Sequence, residues 1–394
     1  MHVPIPGRIG AALGLGLLIL LAASPAHASG DAPSRVRGSI AANGAPLLGA
    51  GPRRATAAAT VTGVQPWLNL LCKFADVPAE PHPPDYYQQM FDRPGKGLAT
   101  FWRDASQGAF TLDGSATVGW LVLPHGRTSY GPSYDVHWEG LTEDCMEAAD
   151  PVVDFSRFYG VNLFFNYDFT SAASGGGWYL QRDGVQRSIG AAWYPKRDDA
   201  EWVVAHEMGH ALGLLHANNS DGDSDPYDNP WDVMGDPVWG APDPTYGRLP
   251  QGTSTDNKWR LGWIPADKAL VPAVSGTYEV PIADMMAPDP DAFWTLRYRG
   301  RGGTTITAEA RTRQGFGSAL ALAPAVVLHD VRADRDEPVW LLDKDVPPSD
   351  LGRTEGTAWR QGEVLLRPRS SIFDGGSRLE VLASTESTMR LRLD

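Results

Sequence analysis

The segment His206-Glu207-Met208-Gly209-His210-Ala211-Leu212-Gly213-Leu214-Leu215-His216 restricts the fold around it more than any other stretch of the chain. A helix repeats every 3.6 residues, so His206 and His210, four apart, project from one face. That spacing lets two imidazoles reach a single Zn²⁺ at roughly 2.0–2.1 Å each. Glu207 lies one step round the helix, beside the metal and outside its ligand set, where it can take a proton from water. Gly213 tolerates positive φ, so the helix can end there and the chain turn back. The turn brings His216 round as a third nitrogen ligand and leaves a fourth position open. The alternative is a helix whose histidines share this spacing by accident. With nine histidines and forty-three glycines in the chain, the five-point pattern arises by chance on the order of once in 10⁴–10⁵ chains of this composition. The metal reading is therefore preferred.

The ends of the chain bound where this chemistry takes place. Residues 1–28 read as an export signal: Arg8 is weakly positive, Ala11 to Ala23 is an apolar core, and Ala26-His27-Ala28 is a cleavage site. An uncleaved anchor is the alternative, disfavoured because the apolar core is short for a bilayer. No cysteine follows it to accept lipid. The expected product is secreted, starts at Ser29 and makes no membrane contact after cleavage. The formal charge of −13 argues against nucleic-acid partners and against anionic membranes.

The chain contains two cysteines, Cys72 and Cys145. Cys72 sits in the apolar run Trp67 to Phe74, which reads as a buried strand. Cys145 shares the apolar side of a helix with Trp138, Leu141 and Ala149. A strand–helix disulfide is preferred over two buried free thiols in an oxidising compartment. Cys72 as a zinc-blocking latency switch is rejected, because the residue belongs to an apolar strand.

Residues 29–62 lack periodicity and read as a linker or short pro-segment, with Arg53-Arg54 a possible processing site. From about Gly63 to residue 268 the texture is that of a packed domain. Short helices are expected at Asp85 to Met90 and Leu98 to Ala105, and a longer one at Asp135 to Ala149. Strands are expected at Phe110 to Leu123, Gly160 to Asn166 and Arg187 to Tyr194, with Gly175-Gly176-Gly177 marking a loop. The metal helix is expected over about Asp199 to Leu212, with Asp198 and Asp199 as candidate N-caps. Asp221, Asp223, Asp225 and Asp228 could hold Ca²⁺, but their spacing matches no EF-hand and a solvated loop is preferred. Thr253 to Leu261 reads as a helix capped by Thr253 or Ser254. Residues 269–394 show only short alternating runs between turns, which predicts an antiparallel β-sandwich. His329, in one of those runs, reads as a surface or satisfied histidine.

With the zinc stretch, Tyr227-Asp228, Asp232-Val233-Met234-Gly235 and Arg260-Leu261-Gly262-Trp263, the chain resembles the metzincin zinc endopeptidases. Within them it is most similar to the gametolysin-like branch, with some texture of immune inhibitor A-like secreted peptidases. The resemblance is specific over about 200 to 265, diffuse over 63 to 199, and slight beyond 270. It implies an α+β fold: a metzincin-like catalytic domain with a mixed twisted sheet, followed by the β-rich domain. It implies Zn²⁺ on His206, His210 and His216, Glu207 as general base and acid, and Met234 as the Met-turn residue beneath the imidazoles. The strand near Ser188 to Tyr194 would be the edge that pairs with an extended peptide. Some metzincins place an oxyanion-stabilising tyrosine two residues after the methionine; here that residue is Asp236, which leaves Tyr227 and Tyr246 as candidate donors. The expected function is a secreted zinc endopeptidase acting on protein or glycoprotein substrates. The rivals are a non-catalytic surface-glycoprotein binder on a degenerate peptidase domain and a zinc amidase acting on a cell-wall polymer. The intact Glu207 counts against the first.

Overall fold

A computed structural model describes residues 60–133, 135–223, 225–272, 277–299, 304–367 and 377–394. The expected export signal and nearly all of the linker lie outside the described residues. The fold is mixed α+β, with five sheets and five α-helices among the described residues. No helix among them is long and apolar enough to cross a membrane.

The amino-terminal part is built on runs that are apolar on both faces. A short strand, β1 (Gly63–Val64), precedes β2 (Trp67–Lys73), which is buried along all but its last residue. Helices α1 (Pro84–Asp92) and α2 (Leu98–Ala105) follow. The expected single strand from Phe110 is broken at Asp113-Gly114 into β3 (Phe110–Thr111), which pairs with β1, and β4 (Ala116–Val122). Helix α3 (Trp138–Ala149) leads to β5 (Gly160–Phe165), β6 (Ser174–Arg182) and β7 (Val185–Tyr194). These strands form a five-stranded sheet in the order β4-β2-β5-β7-β6, parallel except where β6 runs against β7.

Parallel strands of this kind need cover on both faces. On one face, Leu71, Phe164 and Tyr194 of the sheet pack with Tyr87 of α1, Phe101 and Trp102 of α2, and the residues of the metal helix. On the other, Leu70, Phe165 and Trp193 pack with Leu141 and Met146 of α3. Cys72 of β2 and Cys145 of α3 are joined by a disulfide through that second core, as their apolar settings predict.

Two expectations fail at the sheet edge. The glycine run is not a loop; it lies inside β6. There Gly175 passes so close to the metal helix that a Cβ would sit 2.1 Å from the Glu207 carbonyl oxygen. And β7, which contains Ser188 to Tyr194, is an internal strand, so the edge belongs to β6. Strand alternation shows that a segment is a strand but not which neighbour it finds.

The metal helix, α4 (Glu201–Ala211), starts two residues later than expected and is capped by Ala200 without a side-chain hydrogen bond. Asp198 instead accepts from the Ala173 amide at 3.0 Å, and Asp199 faces His82 at 3.4 Å. Past His216 comes β8 (Ala217–Asn219), then a small hairpin of β9 (Pro242–Asp243) and β10 (Gly247–Arg248). Helix α5 (Thr255–Arg260) is shorter than expected, and of the two candidate caps Ser254 takes the role.

The remaining strands are β11 (Ala269–Leu270), β12 (Tyr278–Ala283), β13 (Thr295–Arg299), β14 (Thr305–Arg311), β15 (Ala325–Val331), β16 (Val339–Leu341), β17 (Val364–Arg367), β18 (Ser377–Ser384) and β19 (Thr388–Leu393). They form a four-stranded antiparallel sheet, β12-β19-β18-β17, and most of a six-stranded one, β11-β13-β14-β15-β16-β8. Ile282, Val381 and Leu391 of the first share a core with Leu296, Ile306 and Leu328 of the second, the arrangement of a sandwich. The pairing is antiparallel except at β11–β13 and β16–β8. The last strand of the larger sheet is β8, which pairs Ala217 with Val339 and Asn219 with Leu341. The segment immediately after the third histidine is thus an edge of the carboxy-terminal sheet.

Candidate metal centre

His206 and His210 stand on the same face of α4, with their Nε2 atoms 3.1 Å apart. The helix stops at once beyond them: Gly213 has φ of +91°, and Leu214 N–H donates back to the Gly209 carbonyl at 2.9 Å. The returning chain sets the His216 ring 4.6 Å from that of His210. The three imidazoles offer one nitrogen each, all within 4.8 Å of one another.

Two backbone carbonyls orient this set. His206 Nδ1 donates to the Val233 carbonyl at 2.8 Å, and His210 Nδ1 donates to the Leu214 carbonyl at 2.9 Å. Each bond places the proton on Nδ1 and leaves the Nε2 lone pair free. Burial, reinforced by a neighbouring histidine, holds His206, His210 and His216 down at about 3, so the imidazoles are neutral. Three neutral, converging imidazole nitrogens are a donor set suited to Zn²⁺. Glu207 is only 8% exposed, and burial, with the Asp198 charge adding to it, pushes its carboxyl up to about 8.

Met234 is fully buried beneath the helix, where a Cβ on Gly209 would lie 2.3 Å from its sulfur. Its amide donates to Asp232 at 2.9 Å, and its carbonyl accepts from Ala217 at 3.0 Å. Asp232 also accepts from Thr253 Oγ1, the Ser254 amide and Asn257 Nδ2, at 2.9, 2.7 and 3.1 Å. One buried carboxylate therefore joins the methionine turn to the start of α5.

The centre opens on a cleft of about 410 Å³ whose walls include Trp202, Val203, Glu207, Tyr227, Leu351 and Arg353. The Tyr227 ring lies 4.3 Å from that of His216, and burial, then the Glu207 charge, pushes its hydroxyl up to about 12, so it keeps its proton. Tyr246, the other candidate donor, is not brought to the histidines. Its ring lies under the Arg93 guanidinium at 4.2 Å and its hydroxyl donates to the Tyr86 carbonyl at 3.1 Å. Asp236 reaches the cleft wall, but its carboxylate is taken by the Val238 amide and by an ion pair with Arg353. His329 is fully buried and so is not a surface residue; Asn229 Nδ2 lies 3.4 Å from its Nε2, and its Nδ1 has no hydrogen-bond partner among the described residues. Leu351 and Arg353 escaped the sequence reading because nothing local marks them; they reach the cleft only through the packing of the carboxy-terminal region. No family model matches this chain, and no curated protein matches it.

Proposed function

We propose that the chain is a secreted zinc-dependent endopeptidase of metzincin type. The observation that carries this reading is the convergence of three oriented imidazole nitrogens beside a buried carboxyl at the floor of an open cleft. His206, His210 and His216 would hold the metal, with the Val233 and Leu214 carbonyls keeping two of the rings in place. A bound Zn²⁺ supplies Lewis acidity, polarising the scissile carbonyl and acidifying water at neutral pH. Glu207 takes the proton of the attacking water and delivers it to the leaving amine. The Tyr227 hydroxyl, protonated and carried on a ring that packs against His216, is the candidate donor to the developing oxyanion. An extended substrate has the free edge of β6 to pair with, since Ala173 at the head of that strand lines the cleft.

The test is Glu207→Gln in the full chain, assayed on denatured casein with metal content measured in parallel. The variant should keep one zinc per chain and lose cleavage. Full cleavage by it would remove Glu207 from the mechanism, and a parent protein that binds no zinc would remove the reading altogether.

A further inference from the structure

The carboxy-terminal sheet is joined to the histidine cluster at two places. The first is the chain itself: His216 leads directly into β8, which pairs with β16 and whose Ala217 amide donates to the Met234 carbonyl at 3.0 Å. The second is a relay of hydrogen bonds that starts on β14. Arg311, 3% exposed, donates from Nη2 to the Gln251 carbonyl at 2.8 Å, and its Nη1 lies 3.3 Å from Glu309. Glu309, equally buried, accepts from the Thr255 amide at 2.5 Å. The next carbonyl along the chain, that of Gly252, accepts from the Val233 amide at 2.6 Å, and the Val233 carbonyl accepts from His206 Nδ1.

The segment that Arg311 holds is shaped to receive it. Gly252 has φ of +109°, and a Cβ there would lie 2.7 Å from Arg311 Nη2, so the guanidinium fills space that any side chain would need. Gln251 is fully buried, and its Nε2 reaches the carbonyls of Pro230, Asp232 and Asp236 at 3.3, 3.0 and 2.7 Å. The turn around Met234 is thus gathered onto the residue whose backbone Arg311 fixes. A buried guanidinium–carboxylate pair adds little net stability over an apolar pair of similar volume. What an apolar pair could not supply is a donor for the Gln251 carbonyl and an acceptor for the Thr255 amide.

We infer that Arg311 and Glu309 are positioning residues for the histidine cluster: the carboxy-terminal sheet aligns His206 through Gln251, Gly252 and Val233, and His216 through β8. This inference rests on the zinc reading proposed above. It makes the carboxy-terminal region part of the frame of the metal centre, where groups that orient ligating histidines set metal affinity by about 10–100-fold.

The test measures zinc affinity of the full chain by chelator competition, with the visible spectrum of the Co²⁺-substituted protein as a report on ligand geometry. Replacing the pair together, Arg311→Met with Glu309→Gln, removes both charges and leaves neither unpaired. We expect zinc affinity to fall about tenfold or more and the Co²⁺ bands to shift, and Gln251→Met should have the same effects. A control pair, Arg297 with Asp256 at 2.7 Å, is also buried but has no hydrogen bond to the turn among the described residues. Arg297→Met with Asp256→Asn should keep the parental affinity and spectrum, whatever it costs in stability. Hydrogen exchange on the parent decides the matter if the test variants do not fold. By reciprocity, zinc should slow local exchange of the Thr255 amide, which Glu309 holds, by about the same factor. Parental affinity and spectrum in both test variants, an equal loss in the control pair, or Thr255 exchange indifferent to zinc would overturn the inference. A parent that binds zinc without cleaving casein would remove only the peptidase reading, and one that binds no zinc would remove both.

Discussion

The Val233 carbonyl accepts a hydrogen bond from His206 Nδ1 at 2.8 Å, so the turn around Met234 and helix α4 are joined at the first of the three clustered histidines. The position of that carbonyl is set in turn by Asp232 on one side and by Met234 on the other. Asp232 binds the Met234 amide and three donors around the start of α5, and the Val233 amide donates to the Gly252 carbonyl. The ring orientation of His206 therefore depends on a network that extends to α5.

Replacing Asp232 with alanine strands the donors of Thr253, Ser254, Asn257 and Met234 in a buried setting. We expect a loss of roughly 2–4 kcal/mol in unfolding free energy and weaker zinc binding, because the carbonyl that orients His206 is released. Urea unfolding and a competitive zinc chelator measure the two effects. A stable variant with parental zinc affinity would show that the network does not position the ligand.

Tyr227→Phe removes the hydroxyl and leaves the ring that packs against His216. If that hydroxyl stabilises the transition state, kcat should fall about tenfold or more with KM and zinc content little changed. An unaltered kcat would take Tyr227 out of the chemistry and leave the metal as the electrophile.

Gly175 and Gly177 lie two residues apart in β6 but meet different surroundings. An added Cβ at 175 would collide with the Glu207 backbone, whereas at 177 its nearest neighbour is the Ile189 carbonyl oxygen at 3.6 Å. Gly175→Ala should therefore cost about 1–3 kcal/mol by pushing α4 off the sheet, and Gly177→Ala should stay within about 0.5 kcal/mol of the parent. Equal thermal midpoints for the two variants would contradict the close approach of β6 to the helix.

Glu201 opens α4 with its side chain fully buried against Arg93, 2.7 Å away, with Asp243 and Lys96 also acting on it. Burial pushes its carboxyl from 4.5 up to about 8, against the pull of Arg93. The folded chain thus holds this proton at pH values where the unfolded chain has released it. The contribution is fully present below about 4.5 and is lost as pH rises through about 8. Glu201→Gln mimics the protonated form, so the variant should gain stability relative to the parent as pH rises from about 4.5 to about 8. Calorimetry at both ends checks this; a constant difference in Tm would contradict it.

The legible parts of this protein are those that depend on neighbours along the chain. The i and i+4 spacing places His206 and His210 on one helical face wherever the helix sits. The glycine at 213 turns the chain toward His216, and the alternating runs beyond 269 announce strands. Cys72 and Cys145 could be paired because each sits in an apolar run of known period.

Other features required contacts between distant segments. Whether β6 or β7 forms the sheet edge, whether Tyr227 or Tyr246 reaches the histidines, and that β8 pairs with β16 are not written in any local pattern. Nor is the arrival of Leu351 and Arg353 at the cleft wall. Backbone periodicity is a property of a few consecutive residues, so the sequence by itself determined the clustered histidines and the helix that carries two of them. The walls and the edge were decided by tertiary structure, because long-range packing selects which of many compatible surfaces meet.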